Sequence, residues 1–361
     1  MDKTHIRLLD LGAISPLRSQ TIYHAVAHAM QPDTPATIIL VSSNRPYVCI
    51  GYHQEADKEV DLAYCEAHGL PVYRREVGGG AVYLDDGQVF TQWIFQQGQL
   101  PRQVEERLAL YVRPLVETYQ AFGVKAIYRP VNDIHVDGKK IGGTGAAQIG
   151  AAEVVVGSLM FDFDKAAMAR VLKVSSEKMR DKIFESLEQY MTTLAKELNT
   201  LPDRAAVKAH YLTVCATALR AEIVPGVLSP AEEAKVAELD EQFASDAWLN
   251  QKGGLRQGGV KIHEDIRVVE GAFKAPGGLI RVTARLRDGH IDDLAISGDF
   301  TLLPATAVMA LEQTLRGLKV TPATLLTQLR QVYHSLNIQS PGLTPEHFTE
   351  AVVVAVNNSG K

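Results

Sequence analysis

Two groups of residues in this 361-residue chain could do chemistry. The first is Arg74-Arg75-Glu76-Val77-Gly78-Gly79-Gly80-Ala81-Val82-Tyr83-Leu84-Asp85. Three consecutive glycines between strand-like runs let the backbone come close to a ligand and aim several N–H groups at an anion. The two arginines before them supply fixed positive charge and bidentate donors for phosphate oxygens. No GK[ST] follows, and a strand rather than a helix comes next, so neither the Walker A loop nor the dinucleotide fingerprint applies. The plainer alternative is a glycine-rich hairpin carrying a solvated arginine pair.

The second group is Asn132-Asp133-Ile134-His135-Val136-Asp137-Gly138-Lys139-Lys140-Ile141-Gly142-Gly143-Thr144-Gly145-Ala146. A lysine just after a tight turn, running into a second glycine-rich segment, can reach a reacting carboxylate or an α-phosphate. Its ammonium there stabilises charge developing on the transferring oxygens. Asp133 is a magnesium or amino-group partner by chemistry, since a carboxylate is the usual hard ligand for Mg²⁺. The plainer alternative is a β-hairpin with exposed lysines.

The elements that must hold these groups follow from periodicity and turn residues. Strands are expected at His5–Leu11, Ala36–Ser42, Tyr47–Gly51, Pro71–Arg75, Gly80–Leu84 and Val89–Phe95. Further strands are expected at Ala126–Tyr128, Asp133–Val136, Lys140–Ala147 and Glu153–Phe161, with the Asp137-Gly138 turn closing a hairpin. Helices are expected from Pro16 to about Met30, at Glu59–His68, and from Pro101 to Phe122, where Gly123 stops it. From 164 to 246 the pattern is mostly helical, with helices at 164–172, 204–221 and 229–246. Four glycines in the nine residues 251–259 mark an interdomain linker, with a hinge at Gly253–Gly259. Beyond it come a three-stranded meander (Ile266–Phe273, Leu279–Leu286, Ile291–Ser297) and helices at 304–317, 321–334 and 344–354. The division expected is a domain over residues 1–250 and a smaller one over 260–361.

With 46% hydrophobic and 22% charged residues, the composition is that of a soluble globular protein. A net charge of −5 argues against a nucleic-acid binder held by bulk charge. Three scattered cysteines, Cys49, Cys65 and Cys215, and histidines without ligand spacing argue against a disulfide framework or a structural metal, and for a reducing cytoplasm. No apolar run approaches the ~20 residues of a membrane helix. Arg102, Arg107 and Arg113 read as a solvated helix face, Trp93 as packed in the sheet, and Trp248 as an anchor of the interdomain junction.

Taken together the motifs are specific. RRxxGGGAVxxD, NDIxxDGKKIxG sixty positions on, and then Gly157-Ser158-Leu159 resemble the lipoate–protein ligase A family. Ile50-Gly51-Tyr52-His53-Gln54 and Glu59-Val60-Asp61 are similar to its upstream segment, and Trp248 and Ile291–Phe300 to its accessory domain. The resemblance implies an α+β fold: the mixed-sheet catalytic domain of biotin ligases and class II synthetases, with a small C-terminal α+β domain. It implies activation of lipoate by MgATP to lipoyl-AMP, then transfer of the lipoyl group to a lysine of an acceptor, either a lipoyl domain or a glycine-cleavage H-like protein. Carried over by position, Lys140 is the essential lysine between carboxylate and phosphate. Arg75, Gly78, Gly79, Gly80, Ala81, Val82, Tyr83, Asn132, Asp133 and Gly143 contact ATP and the adenylate, with Asp133 also the Mg²⁺ ligand. His53, Gly79, Gly157 and Ser158 form the lipoyl pocket, although His53 also reads as a surface-turn histidine.

The chain departs from the family pattern at two places. Gly142-Gly143 stands where Ser-Gly is usual, which predicts a more flexible loop, and Val156 stands where a histidine is common. Octanoyltransferases share the scaffold but work through a cysteine thioester, and the segment Lys125–Val131 that would carry it has no cysteine. Cys49 and Cys65 read as small buried hydrophobes. Biotin ligase fits the residues after the arginines less well. A catalytically silent lipoyl-binding partner is the remaining alternative, and intact Arg75, Asp133 and Lys140 argue against it.

Overall fold

The computed structural model describes residues 4–252 and 266–358; the expected hinge at Gly253–Gly259 lies outside them. Among the described residues up to 252 there are twelve strands: β1 (Thr4–Ile14), β2 (Thr37–Ser43), β3 (Tyr47–Ile50), β4 (Val72–Arg74), β5 (Val82–Leu84), β6 (Gln88–Gln96), β7 (Ile127–Arg129), β8 (Asp133–Val136), β9 (Lys139–Gly143), β10 (Gly145–Ile149), β11 (Ala152–Met160) and β12 (Ala221–Pro225). Six of them form one mixed sheet in the order β10-β11-β6-β2-β1-β12, with β1 parallel to both neighbours.

β6 is buried along all but its last residue because helices cover both faces of this sheet. Val89, Trp93 and Phe95 join the core beneath the helix Val104–Ala121. Phe90 and Ile94, on the opposite face, join the core beneath Pro16–His28. That alternation is the period of two that any strand imposes. Two small sheets flank this body, β4-β3-β5 and β7-β8-β9, and each carries one of the two chemical motifs.

Residues 266–358 form a separate meander of β13 (Ile266–Ala275), β14 (Gly278–Arg287) and β15 (His290–Gly298). The helices Ala307–Leu315, Pro322–Ser335 and Pro345–Asn357 pack on it around a core of their own. The architecture is α+β. The C-terminal unit docks through polar contacts: Ser297 Oγ to Glu55 at 2.5 Å, Arg281 to Glu59 at 3.1 Å, and Lys58 to Glu270 at 2.6 Å. Gln339 Oε1 also accepts from the Val104 N–H at 2.8 Å, satisfying a donor at a helix start that lacks a side-chain cap of its own.

Several elements differ from the sequence expectation. The helix expected at Glu59–His68 is two short ones, Ala56–Glu59 and Leu62–Ala67, because extended Val60 bridges to Leu172 and Asp61 caps the second. The strand expected at Lys140–Ala147 breaks at Thr144, whose N–H and hydroxyl both donate to the Asn132 carbonyl, at 2.9 and 3.0 Å. Glu177–Tyr190 is a further helix within the stretch expected to be mostly helical, not delimited by the pattern, and strand β12 interrupts that stretch. Arg107 does not lie on a solvated face: it is 4% exposed and donates to Glu153 at 2.6 Å.

Candidate active site

The two arginines have different fates: Arg74 ends β4, and Arg75, the next residue along the chain, faces the other way. Arg74 is fully buried and donates to the carbonyls of Gly51, Tyr52, Trp248 and Leu249. It therefore ties down the end of the N-terminal unit and is not a phosphate ligand. Trp248 completes this junction, donating from its indole to the Arg74 carbonyl at 2.9 Å. Arg75 turns toward the glycines. Its Nη2 donates to Gly78 and Gly80 at 2.8 and 2.9 Å, and its Nη1 to Cys49 at 3.2 Å. The guanidinium thus sets the shape of the glycine loop.

The glycines are required by close approach. A Cβ on Gly78 would come 2.5 Å from the Phe300 carbonyl, and one on Gly51 would come 1.9 Å from the Gly79 carbonyl. Gly79 also takes φ +91°, a region that side chains disfavour. Its N–H donates to the Phe300 carbonyl at 3.1 Å, so one amide expected to face an anion is used by the C-terminal unit instead.

The second motif is a hairpin whose turn residues Asp137 and Gly138 both have positive φ, as a two-residue type I′ turn requires. Its register shifts between Ile134 and His135, leaving Ile141 as the extra residue on β9. Lys140 Nζ lies 2.7 Å from Asp133 Oδ1. A Cβ on Gly143 would come 3.0 Å from that ammonium, so the glycine leaves the room in which it lies. Gly142 and Gly143 are paired strand residues with ordinary φ, not the flexible loop expected of them.

Both motifs open on one cavity of about 370 Å³. Of the residues singled out from the sequence, Arg75, Gly78, Gly79, Gly80, Ala81, Val82, Tyr83, Asn132, Lys140, Gly143, Gly157 and Ser158 line it. Asp133 lines an adjoining cavity of about 290 Å³ together with Asp299 and Thr301 of the C-terminal unit; Gly79, Asn132, Thr144 and Gly145 border both. His53 lines neither. It is 1% exposed, stacked on Phe300 with ring centroids 4.6 Å apart, and burial holds it well below the usual histidine range. It is therefore neither an acyl-pocket residue nor a surface residue, but part of the junction between the two units.

Much of the cavity comes from residues that the motifs did not mark. Gln88, Phe90 and Gln92 of β6 pair across the sheet with Met160, Ser158 and Val156 of β11, and all six line it. Gln20 and Tyr23 of the first helix, Phe163, Met168, Leu187 and Met191 complete the wall. The alternation in Gln88–Gln92 was the available signal for the floor. For the helix bearing Leu187 it was Met179, Ile183 and Leu187 at four-residue spacing after the capping Ser176. Met191 bridges to Lys140, and the Thr192 N–H donates to the Lys140 carbonyl at 2.9 Å, so this helix is tied to the lysine.

No cysteine lines the cavity. Cys49, Cys65 and Cys215 are all buried, and burial pushes their thiols up, to about 11 for Cys65 and about 12 for Cys215. Among the described residues no cluster of three acidic, histidine or cysteine side chains could hold a metal. No described helix is long and apolar enough to cross a membrane.

Residues 15–216, more than half of the chain, match the lipoyl protein ligase A/B catalytic domain. The chain belongs to that family. In this lipoyl ligase family member, residues 270–352 also match the bacterial lipoate protein ligase C-terminus. It is 26% identical over 273 residues to the lipoate-protein ligase LplJ of Bacillus subtilis, covering 74% of this chain and 77% of that one. It is 23% identical over 271 residues to the octanoyltransferase LipM of Moorella thermoacetica, covering 68% and 98%. Among solved structures, the bipartite lipoate protein ligase of Thermoplasma acidophilum superposes with a TM-score of 0.63 at 25% identity, over 71% of this chain and all of that one. Plasmodium falciparum LipL1 in complex with lipoate shares the fold over 99% of this chain, with a TM-score of 0.69 at 15% identity.

Proposed function

We propose that this protein is an ATP-dependent lipoate–protein ligase working through an acyl-adenylate. A carboxylate oxygen of lipoate attacks the α-phosphorus of ATP, and the bond to the β-phosphate breaks to release pyrophosphate. The ε-amine of an acceptor lysine then attacks the acyl carbonyl, AMP leaves, and the amine gives up a proton. The observation that carries this reading is Lys140, held by Asp133 and given room by Gly143 at a cavity shared with the glycine loop, with no thiol in its wall. Such a site supplies charge for a phosphoryl centre but no covalent nucleophile.

In this reading the Lys140 ammonium lies between carboxylate and α-phosphate. Arg75 holds the Gly78–Gly80 loop in the form that receives the nucleotide, and Asn132 ties the two ends of the second motif together by donating to the Thr144 carbonyl at 2.7 Å. The apolar stretch of Phe90, Val156 and the three methionines takes the acyl chain. Magnesium enters with ATP: a single hard carboxylate, Asp133, suits an ion held mainly by phosphates and water, and not a resident protein-caged one. We take residues 1–250 as the catalytic unit and 260–361 as the accessory unit. The acceptor is inferred to be a lipoyl domain, because the similar Thermoplasma ligase was solved with one.

The likeness to LipM favours a second reading, octanoyl transfer through a cysteine. The positions of all three thiols outside the cavity argue against it. Incubation with a lipoyl acceptor domain, MgATP and either acid, followed by mass spectrometry, separates the two. Ligation gives an acceptor mass gain that requires ATP, whereas transfer from an acylated carrier protein proceeds without it.

A further inference from the structure

The floor of the cavity is not uniformly apolar. Gln92, in the middle of β6 and 3% exposed, donates from its amide nitrogen to the Ser19 carbonyl at 3.3 Å. A carbonyl only accepts, so the amide orientation is fixed and Oε1 is the free end. That oxygen is buried and has no hydrogen-bond partner. The nearby polar groups make their hydrogen bonds elsewhere. The hydroxyl of Tyr23 donates to Gln20 Oε1 at 3.2 Å, and Gln20 Nε2 donates to Tyr47 at 2.7 Å. Tyr47 in turn shares its hydroxyl with Ser19 at 2.8 Å. These groups bond to one another, and Gln92 Oε1 accepts from none of them.

A buried acceptor without a partner is costly, so a cavity that keeps one is complementary to a ligand that brings a donor. β6 and the first helix contribute neither Lys140, Asp133 nor the glycine loop, and in the proposed reading this wall meets the acyl chain. We infer that Gln92 is a specificity-determining residue that recognises a hydrogen-bond donor on the far part of the acyl chain, and that the acid taken best is the reduced 6,8-dithiol form of lipoate. The thiols of dihydrolipoate can donate, whereas the cyclic disulfide of lipoate and the hydrocarbon end of octanoate cannot. Met160, Met168 and Met191 in the same cavity provide polarisable contacts suited to sulfur. The inference rests on the ligase reading only for the identity of the chain as an acid to be activated.

The experiment measures binding of dihydrolipoate, lipoate and octanoate to the full-length protein by calorimetry, alongside acyl-AMP formation from each with MgATP. Wild type is expected to favour dihydrolipoate over octanoate by about tenfold or more, in line with the loss when a buried polar group stays unpaired. Gln92→Met, similar in length and without the acceptor, is expected to bring that ratio to near one by improving octanoate. Wild-type binding of octanoate as tight as that of dihydrolipoate overturns the inference, and so does a ratio unchanged in Gln92→Met. Because each ratio is taken within one protein, a partly destabilised variant still reports it. Absence of acyl-AMP with all three acids would tell against the ligase reading alone, since the binding preference is read independently.

Discussion

Lys140 Nζ sits 2.7 Å from Asp133 Oδ1 across the β8–β9 hairpin, and the register shift at Ile134 and His135 lies between them. A bulge bends a strand and re-aims the side chains beside it. Here the bulged residue, Ile141, directly follows the lysine. The ion pair therefore follows from local backbone geometry as well as charge.

Lys140→Ala is expected to lower acyl-adenylate formation by about 100-fold or more, the scale of losing a positioned charge at a reacting centre. Stability should change by less than about 1 kcal/mol, because both partners are partly exposed, at 39% and 29%, and such pairs contribute little. Pyrophosphate release together with a urea melt checks both. A variant that unfolds easily, or one that adenylates normally, contradicts the role given to this lysine.

The adjacent arginines should separate cleanly. Arg75→Ala frees three backbone carbonyls and loosens the glycine loop, costing about 1.5–3 kcal/mol of stability while raising the ATP requirement. Arg74→Met removes the donor to four carbonyls in a buried site, of which Gly51 and Trp248 keep a backbone N–H, and should cost more, about 3 kcal/mol or above, since the Tyr52 and Leu249 carbonyls then carry their desolvation penalty and a large buried side chain is lost. Denaturant melts and ATP titrations distinguish them. Equal effects on ATP affinity would show that Arg74 acts on the nucleotide after all.

The chemistry was more legible in the sequence than its surroundings. The glycine loop and Lys140 could be found because their residue types are rare in that order. Arg74 could not be told from Arg75, because strand alternation separates them only once the direction of β4 is known. His53 was misplaced because a turn histidine carries no mark of the Phe300 ring, 247 positions away, that buries it. The acyl floor was hidden for a similar reason: Gln88 and Gln92 look like ordinary polar strand residues until β11 lies beside them.

His24 gives a pH signature. Its Nδ1 lies 2.6 Å from the Gln20 carbonyl and so carries the proton, leaving Nε2 to accept from the Glu76 N–H at 3.0 Å, just before the glycine loop. Burial lowers its pKa from 6.5 to about 4. The unfolded chain then takes up a proton below pH 6.5 that the folded one refuses until about pH 4. Stability from this group is full above pH 6.5 and lost progressively down to pH 4, a difference on the order of 3 kcal/mol. His24→Gln should flatten that part of the stability–pH curve. Parallel curves for wild type and variant would contradict the assignment.

The cysteines provide a test by removal. Replacing Cys49, Cys65 and Cys215 together by alanine should cost stability, because all three are buried, and leave acyl transfer within about threefold of wild type. Loss of a true nucleophile would instead cost several orders of magnitude. Single-turnover transfer to a lipoyl domain, measured below the melting range, makes the comparison.

The most direct measurement is mass spectrometry of the cysteine-free protein after incubation with MgATP and lipoate or dihydrolipoate, with no acceptor present. A noncovalent acyl-AMP accompanied by an equivalent of pyrophosphate, absent in Lys140→Ala, is the predicted result. Formation of no adenylate, with wild type instead carrying an acyl thioester on a cysteine when offered an acylated carrier, would contradict it.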